Sequence, residues 1–379
     1  MRPLNWGLIG GGEGSQIGFT HRAGSALDGR FRFVAGALDI DPARGRAYGT
    51  SLGLDADRSY GDWREMLDGE RERDDRPVLV TVATPNVTHF EIATSCLEAG
   101  FHVFCEKPMT MTLEEAHDLV AVAARTGRRC AVNYGYSGYP LVRHMRAMVA
   151  RGDLGVPRVI VAEFAGGFMA DAADADNPRV RWRFDPAQAG FSALTLDAGI
   201  HALHLACYVT GQRVTSVSSD FASVVPGRQL EDDSLTAFRM DGGTIGRLWA
   251  SGVAIGRTHG LALQVFGATG GLRWSQEHPN QLHWTPLNEP TQVLERGARG
   301  LSPEADRASR ITIGHPEGTV FAFANLYRDL ADIIQATIDG TAPDPLALSV
   351  PMAEDGLHSI ATILAAATSA RDGSAWTKV

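Results

Sequence analysis

The chain has 379 residues, 44% of them hydrophobic and 21% charged, with a formal charge of −9 at neutral pH. This length favours two domains over one, and a mildly acidic balance without a Lys/Arg block argues against a nucleic-acid partner. No apolar run approaches the ~20 residues of a membrane span, and the opening MRPLNWGLIG reads as a strand without a secretory leader.

In chain order, WGLIG (6–10), RFVAGAL (32–38), VLVTVA (78–83) and FHVFC (101–105) are short apolar runs that predict strands. Between them, 88–99 and 112–125 have helical spacing, and Thr112 three residues before Glu115 is a capping-box pattern. Strands apolar on both faces and separated by helices imply a doubly wound parallel sheet. After about residue 133 longer strands follow at 157–166, 214–225, 233–240, 244–253 and 261–267, with helices at 193–210 and 318–338 and a long polar loop at 285–312. The expected fold is α/β: an N-terminal Rossmann domain over 1–133, then an α+β domain over 134–379 with a large, mostly antiparallel open sheet. The C-terminal helix is expected to pack back on the first domain. Cys96, Cys105, Cys130 and Cys207 form no CxxC pair and read as buried thiols of a cytoplasmic protein.

Four stretches carry chemistry. GLIGGGEGSQIGFTHR follows the first strand and opens a helix, so it suits a pyrophosphate. Gly10 would allow the tight turn, Gly12 the close approach of phosphate, and Asp39 at the end of the second strand would hold the ribose hydroxyls. A carboxylate there repels a 2′-phosphate, so NAD is preferred to NADP. At the third strand end, Thr84, Pro85, Asn86 and His89 of ATPNVTH are candidates for the ribose or carboxamide, with Asn86 as an alternative helix cap. CEKP then places Glu106 and Lys107 past the fourth strand, where an ammonium can steady a developing alkoxide, and Pro108 admits a cis peptide. In LDAGIHALH, Asp197 and His201 are spaced i, i+4, so the carboxylate can orient His201 as a general base. His204 reads as a core histidine. The three make a poor zinc set without Cys or further carboxylates, and no metal is expected. Tyr136 and His315 are further candidates for the substrate side, and Glu317 of GHPEG could join His315 or simply belong to a turn.

The glycine loop, ATPNxxH, EKP and DxGxH in this order resemble the Gfo/Idh/MocA family of NAD(P)-dependent sugar and polyol oxidoreductases. SYGDWREML (59–67), WRFDPAQAG (182–190), FANLY (323–327) and EDGLHSI (354–360) extend the likeness over most of the chain. The resemblance implies that Lys107 and His201 act at the substrate with Asp197 as partner, and that Trp182 and Arg183 lie near the cofactor or substrate cleft. It implies a homodimer or homotetramer through the outer face of the C-terminal sheet, and a sugar or polyol as the small-molecule partner. Two further family roles are a redox-neutral glycoside reaction on tightly held NAD and a non-catalytic NAD-binding regulator. Gly18 and His21 match the family's last glycine and following histidine. That leaves Glu13 to Ile17 as a loop about three residues longer than the family's, able to reach over the cofactor or toward the substrate, with Ser15, Gln16 and Ile17 as cofactor candidates. FSALTL (191–196) stands where the family often has glycines, so a bulkier pocket wall is expected there.

Overall fold

The first half of the chain alternates short apolar strands with helices, and this pattern fixes where a ligand can sit. The computed structural model describes residues 2–177 and 180–379. In order come β1 (Leu4–Gly10), α1 (Gln16–Leu27), β2 (Phe31–Ala37), α2 (Pro42–Ser51), α3 (Trp63–Glu70), β3 (Leu79–Ala83), α4 (His89–Glu98), β4 (His102–Cys105), α5 (Leu113–Thr126) and β5 (Cys130–Val132). The five strands are parallel in the order β2-β1-β3-β4-β5. β3 and β4 are buried along their whole length, as a sheet covered on both faces requires. The order reverses between β1 and β3, where Gly10 pairs with Ala83. In doubly wound sheets ligands bind at the carboxyl ends beside such a switch point. The capping box of α5 is present: Glu115 N–H donates to the Thr112 hydroxyl, and the Glu115 carboxylate accepts from Thr112 N–H.

The rhythm then changes to α6 (Pro140–Arg151), β6 (Pro157–Ala165), the short α7 (Pro186–Ala189), a π turn (Thr195–Gly199) and α8 (Ile200–Thr210). There follow β7 (Val214–Ala222), β8 (Asp233–Met240), β9 (Ile245–Ser251), β10 (Leu261–Gly267), β11 (Gly270–Ser275), β12 (Gln281–Pro286), β13 (Gln292–Glu295) and α9 (Pro303–Ala308). The chain ends with α10 (Thr319–Asp339), α11 (Ala353–Arg371) and β14 (Thr377–Lys378). A nine-stranded sheet runs β13-β12-β11-β10-β6-β9-β8-β7-β14. Its neighbours are antiparallel except β6 and β9, which are parallel. One face buries Ile160, Ala162, Phe164, Leu261, Leu263, Val265, Leu272 and Trp274, with α8 on β6 and β10 and α6 on β11. The period-2 alternation puts Val161, Gln264, Arg273 and His283 in one row on the other face.

Two expectations need correction. Residues 285–312 are not one loop: they hold the end of β12, all of β13 and α9. β13 is a four-residue edge strand with little burial, so periodicity had almost nothing to mark. The second concerns α10, which the sequence reading places in the second domain. Residues 1–138 and 318–357 form one compact unit, and 139–317 with 358–379 form the other. α10 lies along α1, and its Leu326, Tyr327, Leu330 and Ile334 share a core with Trp6, Leu8, Phe31, Leu79 and Phe104.

Candidate active site

The glycine turn is built by backbone crossing backbone. Gly10 has φ 82°, and a Cβ on it would lie 2.4 Å from the Ala83 carbonyl oxygen. A Cβ on Gly18 would lie 2.2 Å from the Gly11 carbonyl oxygen, so α1 can start against the turn only without a side chain there. A Cβ on Gly12 would meet the Leu38 carbonyl oxygen at 2.5 Å and Asp39 Oδ2 at 3.4 Å. This leaves a cradle with Asp39 on its wall and a helix N-terminus at its end, which fits a pyrophosphate and its ribose. Asp39 Oδ1 accepts from Asp41 N–H at 2.9 Å and from the Arg44 guanidinium at 2.8 Å. The Asp41 N–H, helped by Arg44 against partial burial, holds the carboxyl below its usual range. The insertion is shorter than expected. Only Glu13 and Gly14 form a turn; Ser15 is the N-cap, accepting from Gly18 N–H at 3.1 Å, and Gln16 and Ile17 already belong to α1. The signal was in the sequence, because Ser is a favoured cap.

At the end of β3, Thr84 and Asn86 are half-buried and Pro85 is exposed. α4 has Thr88 at its cap position and no side-chain cap bond, so Asn86 is not spent on starting it. His89 differs from expectation: it is fully buried, and its two ring nitrogens lie 2.8 Å from the Pro108 carbonyl and 2.9 Å from the Thr84 carbonyl. It ties the ATPN turn to the EKP turn instead of reaching for a ribose. Burial pushes its pKa down, against the two carbonyl contacts and the Glu106 charge. Glu106 also faces inward, 7% exposed. Its carboxylate meets His21 Nε2 at 2.9 Å, the Asn133 amide, and Lys107 N–H at 3.1 Å. Burial raises its pKa, but His21, Asn133 and the charge of Lys107 outweigh this and hold it below its ordinary value. Lys107, half-buried, precedes a cis peptide to Pro108. It and Lys378 are the only lysines among 35 Lys and Arg residues. A compact ammonium thus stands here in a chain whose other cations are almost all guanidinium groups, and the two are not interchangeable. Tyr136 is half-buried in the turn after β5.

In the second unit, Asp197 lies in the π turn and His201 in the first turn of α8. A π turn at the start of a helix is frequent at functional sites. Asp197 Oδ2 accepts from Arg183 Nε at 3.0 Å, and the Arg183 guanidinium sits 4.7 Å from the centroid of Trp182. The His201 ring stacks on Phe164 with centroids 6.0 Å apart. His204 is buried and stacks on Tyr208, as a core histidine would. The sequence reading missed Glu231. This buried carboxylate accepts from the Ser192 hydroxyl at 2.5 Å and from the N–H groups of Ala193, Leu194 and Thr195 at 3.2, 3.1 and 2.9 Å. It thereby caps the turn that carries Asp197.

His315 is exposed, and its carbonyl accepts from Arg296. Glu317 is a structural anchor and not a pocket residue: it is 2% exposed, pairs with Arg296 at 3.0 Å and accepts from the N–H groups of Arg310 and Ile311. Among the described residues no three His, Cys, Asp or Glu converge on a metal site.

Comparison with known proteins agrees with both units. The family described as "Oxidoreductase family, NAD-binding Rossmann fold" matches residues 4–134, and the "GFO/IDH/MocA C-terminal domain" matches 142–273. An inositol dehydrogenase homolog from Azotobacter vinelandii, crystallised with NAD+, is 40% identical with a TM-score of 0.95, covering 100% of this chain and 98% of that one. Its complex with NADH and myo-inositol is 39% identical with a TM-score of 0.92 over the same shares of the two chains. The uncharacterised oxidoreductase YfiI of Bacillus subtilis (strain 168) is 34% identical over 99% of this chain and 96% of its own length.

Proposed function

The chain belongs to the Gfo/Idh/MocA family of NAD-binding oxidoreductases, and from that premise we propose that it exchanges hydride between NAD and a secondary hydroxyl of an inositol-like cyclic polyol. The observation that carries this reading is the full-length likeness to a chain crystallised with NADH and myo-inositol. Bound NAD supplies the hydride acceptor. Gly10, Gly12 and the start of α1 receive the pyrophosphate, and Asp39 receives the adenosine ribose. His201 takes the hydroxyl proton, Lys107 steadies the alkoxide, and Asp197, held by Arg183, orients His201. Reduction of the ketone uses the same groups with roles exchanged. Tyr136 and His315 are assigned to the substrate side and Asn86 to the nicotinamide side.

We assign the protein to the cytoplasm on its four free thiols; among the described residues no helix is long and apolar enough to cross a membrane. A homodimer or homotetramer through the outer face of the nine-stranded sheet is supported by Leu235, Ile245 and Phe266, all more than 40% exposed there.

The test is NADH formation by the purified protein with NAD, and NADPH formation with NADP, on myo-inositol, scyllo-inositol, glucose, glucosides and anhydrosugars. Turnover of an inositol with NAD is expected, falling ~100- to 10,000-fold in His201→Ala. No NADH from any polyol overturns the reading.

A further inference from the structure

Two features have no role so far: the histidine of α1 and the tyrosine that ends FANLY. They meet under the Glu106–Lys107–Pro108 turn. Trp6 Nε1 donates to Thr81 Oγ1 at 2.9 Å, and Thr81 Oγ1 lies 2.9 Å from the Tyr327 hydroxyl. That hydroxyl is 2.8 Å from His21 Nδ1, and His21 Nε2 is 2.9 Å from Glu106 Oε1. All five residues are buried, at 7% exposure or less.

The proton inventory gives this chain a direction. An indole N–H can only donate, and a hydroxyl carries one hydrogen. Thr81 receives the Trp6 hydrogen and passes its own to Tyr327, which passes its own to His21 Nδ1. His21 Nδ1 is then an acceptor, and its Nε2–H is aimed at Glu106. The opposite direction, with Nε2–H still on Glu106, needs N–H groups on both nitrogens of a wholly buried ring, and it gives the Thr81 hydrogen no acceptor among these five residues. At the end, Glu106 takes N–H groups from His21, Asn133 and the Lys107 backbone, three donors that favour its ionised form.

The geometry points to His21 as a positioning residue for Lys107: the Trp6–Thr81–Tyr327 chain holds its Nε2–H on the Glu106 carboxylate, which in turn fixes the backbone N–H from which Lys107 departs. This rests on the proposal that Lys107 serves the substrate hydroxyl. Glu106 is faced by His21 from α1, Tyr327 from α10, His89 from α4, and Cys105 and Lys107 of its own segment. Because His89 engages the Pro108 carbonyl, the residues on both sides of Lys107 are tied to buried histidines.

The experiment compares the NAD-bound protein with its His21→Phe and His21→Gln variants. Against myo-inositol, His21→Phe is expected to lose about 100-fold in kcat, the scale of a 1 Å misplacement, with KM for NAD within about threefold of the wild type. Its acid limb moves to higher pH, because Glu106 has lost a donor that favours its ionised form. Gln restores an N–H donor and is expected to recover about tenfold of the loss. An unmoved acid limb in His21→Phe, or equal losses for Phe and Gln, overturns the inference. A second readout needs no turnover, so it separates this inference from the polyol reading. With only two lysines in the chain, 13C-labelled lysine gives two side-chain signals. The Lys107 signal is expected to shift in His21→Phe and return toward wild type in His21→Gln, while Lys378 stays put. A Lys107 signal unchanged in His21→Phe overturns the inference whatever the substrate.

Discussion

Asp39 is already engaged before any ribose arrives, and this sets how the cofactor preference can be changed. Its Oδ1 is taken by Asp41 N–H and Arg44, while Oδ2 lies beside Gly12. Asp39→Ser removes the charge that repels a 2′-phosphate and releases Arg44, which is exposed on the same rim. Apparent affinity for NAD is expected to fall about 10- to 100-fold, the scale of a hydrogen bond to a charged group, with a shift in the NAD/NADP ratio of kcat/KM toward NADP. An unchanged ratio removes the role given to Asp39. Elsewhere in the first unit, the stability of the protein is tied to His102. It is 3% exposed, and its Nδ1 accepts from Arg129 N–H. Burial, then the charges of Arg128 and Arg129, lower its pKa from 6.5 to about 4. The unfolded chain therefore binds a proton below 6.5 that the folded protein refuses until about 4. This contribution is complete above 6.5 and is lost as pH falls through that window. The shift corresponds to on the order of 3 kcal/mol. Urea melts across the window should show the decline, and His102→Gln should flatten it.

At the scale of elements, the turn leading into α8 depends on a carboxylate far away in sequence. Glu231 closes four donors at the start of the Thr195–Gly199 turn. Glu231→Ala leaves them buried without an acceptor, a loss of about 3 kcal/mol, readable by chemical denaturation, with kcat falling as Asp197 loses its support. A stability within experimental error of the wild type would mean that the turn holds itself. Glu231 was illegible in sequence because it sits in an ordinary acidic run, LEDD, and its partners are 36 to 39 residues away. Local signals fared better. The Thr112–Glu115 box placed α5, and the strands bearing Gly10, Asp39, Thr84 and Lys107 came from apolar runs alone. The π turn could not be read, since Asp197 and His201 keep the same spacing whether the helix winds regularly or not. β11 and β12 were missed because Gly270, Gly271 and the turn at 276–280 break the alternation. For α10, amphipathic spacing shows that one face is buried but not against which unit.

At the scale of the molecule, the outer sheet face aligns Phe266 with Val159 and Ile245, and Leu235 with Trp249. Beside this apolar row, Glu163, Arg257, Arg273, Glu277, His278 and His283 line a cleft of about 480 Å³. An apolar centre with a charged margin is the usual make-up of a protein interface. Light scattering is expected to give a multiple of 40.6 kDa for the wild type and the single-chain mass for Phe266→Asp combined with Ile245→Asp. A monomeric wild type would end that proposal. The division of the chain has a consequence of another kind, in the order of synthesis. The cofactor-binding unit is completed by residues 318–357, which leave the ribosome after nearly all of the other unit. Until Tyr327 emerges, His21 Nδ1 lacks its hydroxyl partner, and Trp6, Phe31 and Phe104 lack the ring they pack against edge-on. The nascent sheet is thus held short of its finished core through translation of the intervening domain, so a cofactor cradle encoded first is finished nearly last.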